Sequence, residues 1–154
     1  ICGAASKTYA MTGWRCGWAL GPREFITQCN VVQGHSTSNI NSITQKAGIA
    51  ALTGPQDGVT VMLSEYRKRR DAVHGWLTAD PRFVCVKPSG AFYLFPKAPH
   101  GTATDFVTAG IQHNLLVIPG NVFSQRDTHF RISYAATDET LHRGIEVLRR
   151  MAKG

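Results

Sequence analysis

No stretch of this 154-residue chain is apolar for long enough to cross a bilayer, since a spanning helix needs about 20 such residues. Its opening residues, which include no starting methionine, do not read as a signal peptide. Cysteine is sparse and badly spaced for chemistry. Cys2, Cys16, Cys29 and Cys85 form no Cys-x-x-Cys pair and have no histidine at ligand spacing. That pattern argues against a zinc site, or any other metal, and against a disulfide framework. Unpaired thiols in a reducing, cytoplasmic compartment are the expected state. Acidic residues are also few, 10 against 17 lysines and arginines, for a formal charge of +7. The excess is concentrated in Arg67-Lys68-Arg69-Arg70 and in Arg143, Arg149, Arg150 and Lys153. Both sets fall in segments that read as amphipathic helices, where a charge run is a solvated face. No aromatic interleaving or nucleic-acid motif accompanies them, so nucleic acid is not an expected partner. Internal repeats and low-complexity tracts are absent too.

What is present is a mixed α/β pattern with a change of organisation near residue 57. Before it, Ile1 and Cys2 look like the end of a strand, and Cys16 to Leu20 reads as a short buried strand. Gly21-Pro22 leads into a helix from about Arg23 to Val32, followed by a polar loop from Gly34 to Asn41. Asn41 or Ser42 caps a helix of small residues ending at Thr53, with Gly54-Pro55 as the stop. After it, a long helix is predicted over Val59 to Ala79, with Met62, Tyr66, Val73 and Trp76 or Leu77 at helical spacing. Phe83–Val86 and Ala91–Phe95 read as strands, Thr104–His113 as a helix, and Leu115–Ile118 and Phe130–Ala135 as strands. A last helix is capped by Thr137, with Leu141, Ile145, Leu148 and Met151 along one face. Residues 57–154 therefore read as an α+β sandwich able to bury its own core. Strands within 1–56 lack partners and should leave apolar surface to be covered by self-association or by further chain.

The most informative segment is Ser6-Lys7-Thr8-Tyr9-Ala10-Met11-Thr12-Gly13-Trp14-Arg15-Cys16-Gly17. It sets one lysine in a run of small and apolar residues, eight positions before an arginine with a glycine on either side. A nucleophilic lysine must lose its proton near neutral pH, which an apolar setting or a nearby cation favours. An arginine offers a planar, two-pronged donor to a phosphate. The pair suggests a phosphorylated carbonyl cofactor held as an imine, of which pyridoxal 5'-phosphate is the common one.

The spelling Ser-Lys-x-x-x-Met-x-Gly-x-Arg-x-Gly resembles the cofactor-lysine motif of class I and II aminotransferases, the aspartate aminotransferase family of pyridoxal-phosphate fold type I. The resemblance continues through Ser38-Asn39, Pro88-Ser89-Gly90-Ala91-Phe92-Tyr93, Val117-Ile118-Pro119-Gly120 and Phe130-Arg131-Ile132-Ser133-Tyr134-Ala135, in the family's order and over nearly the whole chain. Family chains are more than twice as long, and their lysine lies past the midpoint. The resemblance thus implies the carboxy-terminal part of an aminotransferase, with 1–56 the tail of the large domain and 57–154 the small domain.

It also implies roles. Lys7 resembles the lysine that joins the cofactor and then moves a proton between the substrate α-carbon and the cofactor. Arg15 resembles the arginine on the cofactor phosphate, with Ser6 a weaker match because the family's phosphate-contacting hydroxyl stands where Ala4 and Ala5 lie here. Arg131, alone in an apolar strand, resembles the arginine that binds the substrate α-carboxylate; a structural salt bridge is the alternative. Ser38 and Asn39 resemble a loop reaching the partner's active site in the family's homodimers. Where dicarboxylate-specific members have an arginine just before that pair, this chain has Gln33-Gly34-His35. Gly90-Ala91-Phe92-Tyr93 and Pro119-Gly120-Asn121 either line the substrate entrance or are a packed strand and a turn.

The expected substrates are an amino acid (aspartate, glutamate or an aromatic one) and a 2-oxo acid. Two other readings share the motif: a fold type I lyase, and the effector-binding domain of a transcription regulator. The family's ring-binding aspartate, its stacking aromatic and its Asn/Tyr pair have no counterpart in these residues. Without the aspartate the ring is a poor electron sink, so residues 1–154 alone are expected to hold the cofactor weakly and to be inactive.

Overall fold

The structure, a computed structural model, describes residues 1–153. The chain divides into two compact units, Ile1–Met62 and Leu63–Gly154, and the division falls inside a long helix.

In the first unit, β1 (Cys2–Ala4) pairs antiparallel with β2 (Gly17–Ala19), placing Gly3 opposite Trp18. Between them lie the single-turn helix α1 (Ala5–Thr8) and a 3-10 turn at Thr12–Trp14. Helices α2 (Arg23–Ser36) and α3 (Ser42–Thr53) follow. Asn41 caps α3, its side-chain oxygen accepting from the Thr44 amide at 2.8 Å, which satisfies one of the orphan donors of the first turn. The α3 helix then holds the 3-10 turn in place, because the Thr44 hydroxyl donates to the Trp14 carbonyl at 3.2 Å. Gly48 supports the same contact. A Cβ there would come within 2.9 Å of the buried Cys16 sulfur.

Little else in this unit is buried. Ala5, Cys16, Thr44 and Gly48 are, whereas α2 buries none of its residues. Phe25 is 57%, Val32 68% and Ile43 72% exposed. The β2 strand, expected to be buried, is exposed at Gly17 and Ala19. A two-stranded ribbon offers each face too little cover to do otherwise.

The second unit builds a core. Helix α4 (Asp57–Thr78) brings Val73 and Leu77 to it, and α6 (Asp138–Met151) brings Leu141, Ile145 and Leu148. Helix α5 (Ala103–Ile111) adds Phe106 and Val107. Against them lies a three-stranded antiparallel sheet in the order β3 (Tyr93–Leu94), β5 (Phe130–Ser133), β4 (Ile118–Pro119). Leu94, Phe130 and Tyr134 are fully buried. At about 25 cal/mol per Å2 of apolar surface, each large side chain of this kind contributes roughly 1.5–3 kcal/mol. Thr137 caps α6 as expected, accepting from the Thr140 amide at 3.3 Å, and Asp138 and Glu139 sit in the first turn, where negative charge suits the helix dipole.

Three local expectations are corrected. Phe83–Val86 is not a strand. Its neighbour Lys97 makes one bond to it, amide to Val84 carbonyl at 2.9 Å, and Pro88 two residues on has no amide to extend a ladder. The α2 helix runs on through Gly34–Ser36, where a loop was expected, and closes with the Thr37 amide on the Gln33 carbonyl at 3.0 Å. Finally, the strands around residues 91–95 and 115–118 shrink to Tyr93–Leu94 and Ile118–Pro119.

Candidate active site

Ser6 and Lys7 lie on α1, whose single turn buries only Ala5. Lys7 is therefore exposed rather than desolvated, because its neighbours along one helical turn are too small to cover it. Arg15 follows the 3-10 turn in the left-handed region, at φ 54°. Ala10, ahead of that turn, also has a positive φ, at 53°. For residues with a Cβ this conformation costs about 1–2 kcal/mol, and such strain gathers at functional sites. Both strained residues line one hollow of about 620 Å3, with Gly13, Trp14, Asn41, Ile43 and Thr44. The Arg15 guanidinium donates to the Thr12 carbonyl at 3.2 Å, which uses one of its five donors. Nothing lies within 4 Å of a Cβ built on Gly13, so that side of the turn is open.

Asn39 lies in the exposed link between α2 and α3, after Ser38 at φ 58°. Its side-chain oxygen accepts from the Ile40 amide at 3.1 Å, a local turn contact. Ser6, Lys7, Arg15 and Asn39 belong to the first unit. Arg131 belongs to the second.

Arg131 is half-buried in β5, where it pairs with Ile118 of β4. Its guanidinium carbon lies over the Tyr93 ring, 4.3 Å from the centroid, and over the Phe123 ring at 4.4 Å. Among the described residues the guanidinium has no carboxylate partner and no hydrogen bond. The structural salt bridge weighed from sequence is therefore not there. Tyr93 stood among the residues considered for the substrate entrance. Phe123 was not singled out, and the only signal for it was an aromatic residue just after Pro119-Gly120.

The segment leading to Tyr93 is pinned. The Arg70 guanidinium donates to the Pro88 carbonyl at 3.4 Å and to Asp71 at 2.8 Å, and Lys87 pairs with Asp71 at 2.8 Å. The Arg70 hydrogen bond, then Lys87, holds the Asp71 carboxyl down at about 2. Further on, the buried Tyr134 hydroxyl donates to the carbonyl of Ala91 at 2.9 Å, a residue itself at φ 59°. Burial pushes the Tyr134 phenol up. Another hollow in this unit, of about 670 Å3 and lined by His100, Phe106, His113 and Arg150 among others, holds none of the motif residues.

The order of these blocks along one chain is matched by a family model. The model for "Aminotransferase class I and II" fits residues 1–148. The chain belongs to the class I and II aminotransferases. Among curated members of this family, the aspartate aminotransferase of Geobacillus stearothermophilus is 39% identical across 97% of this chain and 40% of its own length. That of Rhizobium meliloti (strain 1021) is 41% identical across 92% of this chain and 37% of its own. In solved structures, the aspartate aminotransferase of Rhizobium meliloti superimposes at a TM-score of 0.92 with 36% identity, covering 99% of this chain and 41% of that one. The aromatic aminotransferase of Pyrococcus horikoshii OT3 gives 0.92 with 31% identity, over 99% and 42%. The chain thus spans about two fifths of the length of the aminotransferases it matches.

Proposed function

We propose that this chain is part of a pyridoxal-phosphate-dependent aminotransferase that moves an amino group from aspartate, glutamate or an aromatic amino acid to a 2-oxo acid. In that reading residues 1–56 are the tail of the large domain and 57–154 the small domain. The protein works in the cytoplasm as a homodimer, and the exposed apolar residues of α2 and α3 are covered by further chain or by the second subunit. The observation that carries the reading is the strained turn at Arg15, eight residues after Lys7 and opening onto a hollow, in a chain of this family.

The residues present suit the cofactor. Lys7 offers an exposed primary amine, and Arg15 offers donors beside the open Gly13 face, as a phosphate requires. Ser6 adds a hydroxyl next to Lys7. Bound there, pyridoxal phosphate supplies a conjugated ring that withdraws electrons from the substrate α-carbon. The Lys7 amine would serve as base and acid, taking a proton from the substrate α-carbon and delivering one to the carbonyl carbon of the cofactor. Arg131 binds the substrate α-carboxylate through its planar fork, and Asn39 adds a polar contact to substrate. Charge-assisted pairing of this kind holds the carboxylate in one orientation.

Borohydride reduction of the full-length protein with pyridoxal phosphate tests the assignment. The cofactor should be found on the peptide that contains Lys7. Label on Lys46 or Lys87 instead would refute it.

A further inference from the structure

Arg131 is the one charged residue in strands β3, β4 and β5, and it has no counter-ion among the described residues. Such a charge needs something to offset its partial burial. The sheet provides it from both sides. On one side, Tyr93 pairs with Ser133 of β5, and Ser133 shares a face with Arg131 because strand residues two apart point the same way. Tyr93 is thus the diagonal neighbour of Arg131, within reach of its ring. On the other side, Arg131 pairs with Ile118, and the chain leaves β4 through the Gly120 turn to deliver Phe123. The Phe123 amide donates to the Gly120 carbonyl at 2.9 Å.

Both rings are themselves held. Tyr93 lies 4.5 Å from Phe92 between centroids, and Phe123 lies 6.4 Å from Phe95, which stacks on His129 at 5.5 Å. The two rings over Arg131 make no ring contact with each other, so the guanidinium sits between them. An aromatic face attracts a cation without neutralising it and without using its N–H donors. An aspartate or glutamate in the same place would have consumed those donors and cancelled the charge.

We infer that Tyr93 and Phe123 are positioning residues. They hold the Arg131 guanidinium in place by cation–π contact and leave its donor edge and its charge available to a carboxylate. The inference rests on the reading of Arg131 as the carboxylate-binding residue. It adds a specific consequence: part of the affinity for every carboxylate-bearing substrate resides in two rings that do not touch the carboxylate themselves.

Four single variants and one double variant of the full-length protein test it, with aspartate and 2-oxoglutarate as substrates and acetate as an unreactive carboxylate probe. Phe123→Leu and Tyr93→Leu keep apolar volume and lose the π face. Each should raise KM for both substrates and the inhibition constant of acetate by about two- to five-fold, the range of one partly exposed cation–π contact. kcat should move by less than about two-fold, since the chemical step is untouched. Phe123→Tyr should restore the parent values. Arg131→Gln should weaken binding further, and adding Phe123→Leu to it should change nothing more. Unchanged thermal unfolding of Phe123→Leu excludes a general loss of structure, and Phe123 is half exposed, so the change is tolerable. If Arg131→Gln weakens carboxylate binding and the ring variants do not, the positioning inference falls and the reading of Arg131 stands. If Arg131→Gln itself has no effect, both fall.

Discussion

Replacing glycine by alanine at two places in the second unit should change stability in opposite directions. At Gly120 a Cβ would lie 2.4 Å from the His129 carbonyl oxygen and 3.0 Å from Cζ of Phe95. The first contact is with backbone, which no rotamer change relieves. The same carbonyl accepts the Gly120 amide at 2.6 Å, so the bond holding the β4 turn against β5 must stretch or break. Overpacking costs about 1–3 kcal/mol, and loss of the hydrogen bond adds roughly 1 kcal/mol. The expected destabilisation of Gly120→Ala is therefore about 2–4 kcal/mol. At Gly75, inside α4, a Cβ meets nothing within 4 Å. Alanine there gains helix propensity and should stabilise by about 0.5–1 kcal/mol. Urea unfolding of the chain, followed by far-ultraviolet circular dichroism, measures both. A Gly120→Ala midpoint equal to the parent's, or a Gly75→Ala midpoint below it, would show that backbone crowding and open helix surface do not govern these positions.

Two further outcomes follow from the polar contacts. Asp71 and Asp80 have carboxyls held at about 2, chiefly by hydrogen bonds from Arg70 and Arg82 respectively, against about 3.9 in an unfolded chain. Below that value the unfolded state binds more protons, so the stability these groups contribute is fully present above about pH 4 and is lost as pH falls towards 2. Urea midpoints between pH 6 and pH 2 should decline, and the double variant Asp71→Asn with Asp80→Asn should flatten that decline. An equally steep decline in the variant would refute the assignment. Tyr134→Phe removes the hydroxyl that donates to the Ala91 carbonyl. It should cost about 0.5–1.5 kcal/mol, because the exposed Ala91 lets water take the vacated bond. A loss above about 3 kcal/mol would mean that the 88–91 segment detaches as a whole.

Elements that need only their own backbone and a cap were legible in the sequence. Asn41 and Thr137 are standard N-caps, and both act as such. The apolar period of α6 placed Leu141, Ile145 and Leu148 correctly in the core. Errors arose where an element depends on a partner. Phe83–Val86 has strand-like composition, yet a strand exists only if another supplies its hydrogen bonds, and here one bond was available. Gly34–Ser36 was misread in the other direction: its composition suggested a loop, but a helix already under way continues on local bonds alone. Burial of Cys16–Leu20 was inferred from apolar content, which reports a preference for cover rather than its presence. Gly17 and Ala19 are exposed in a two-stranded ribbon.

The site divides along the same line. Lys7 and Arg15 stand out in sequence because their spacing is local and glycine on either side marks a turn. The exposure of Lys7 was not readable, since it depends on what lies around α1. For Arg131 the sequence argument was one of deficit: a charge in an apolar strand must be compensated. Composition cannot say whether by an acid, a ligand or an aromatic ring, because the compensating groups are distant in the chain. Tyr93 precedes Arg131 by a whole helix and a strand, and Phe123 looks in sequence like ordinary packing after a turn. In the structure the deficit is met in part by two rings and by no carboxylate. Rings that attract a cation without neutralising it leave an electrostatic demand at one point of the sheet. Only an anion from outside the described residues could meet that demand, which is why we propose Arg131 as a binding residue rather than a structural one.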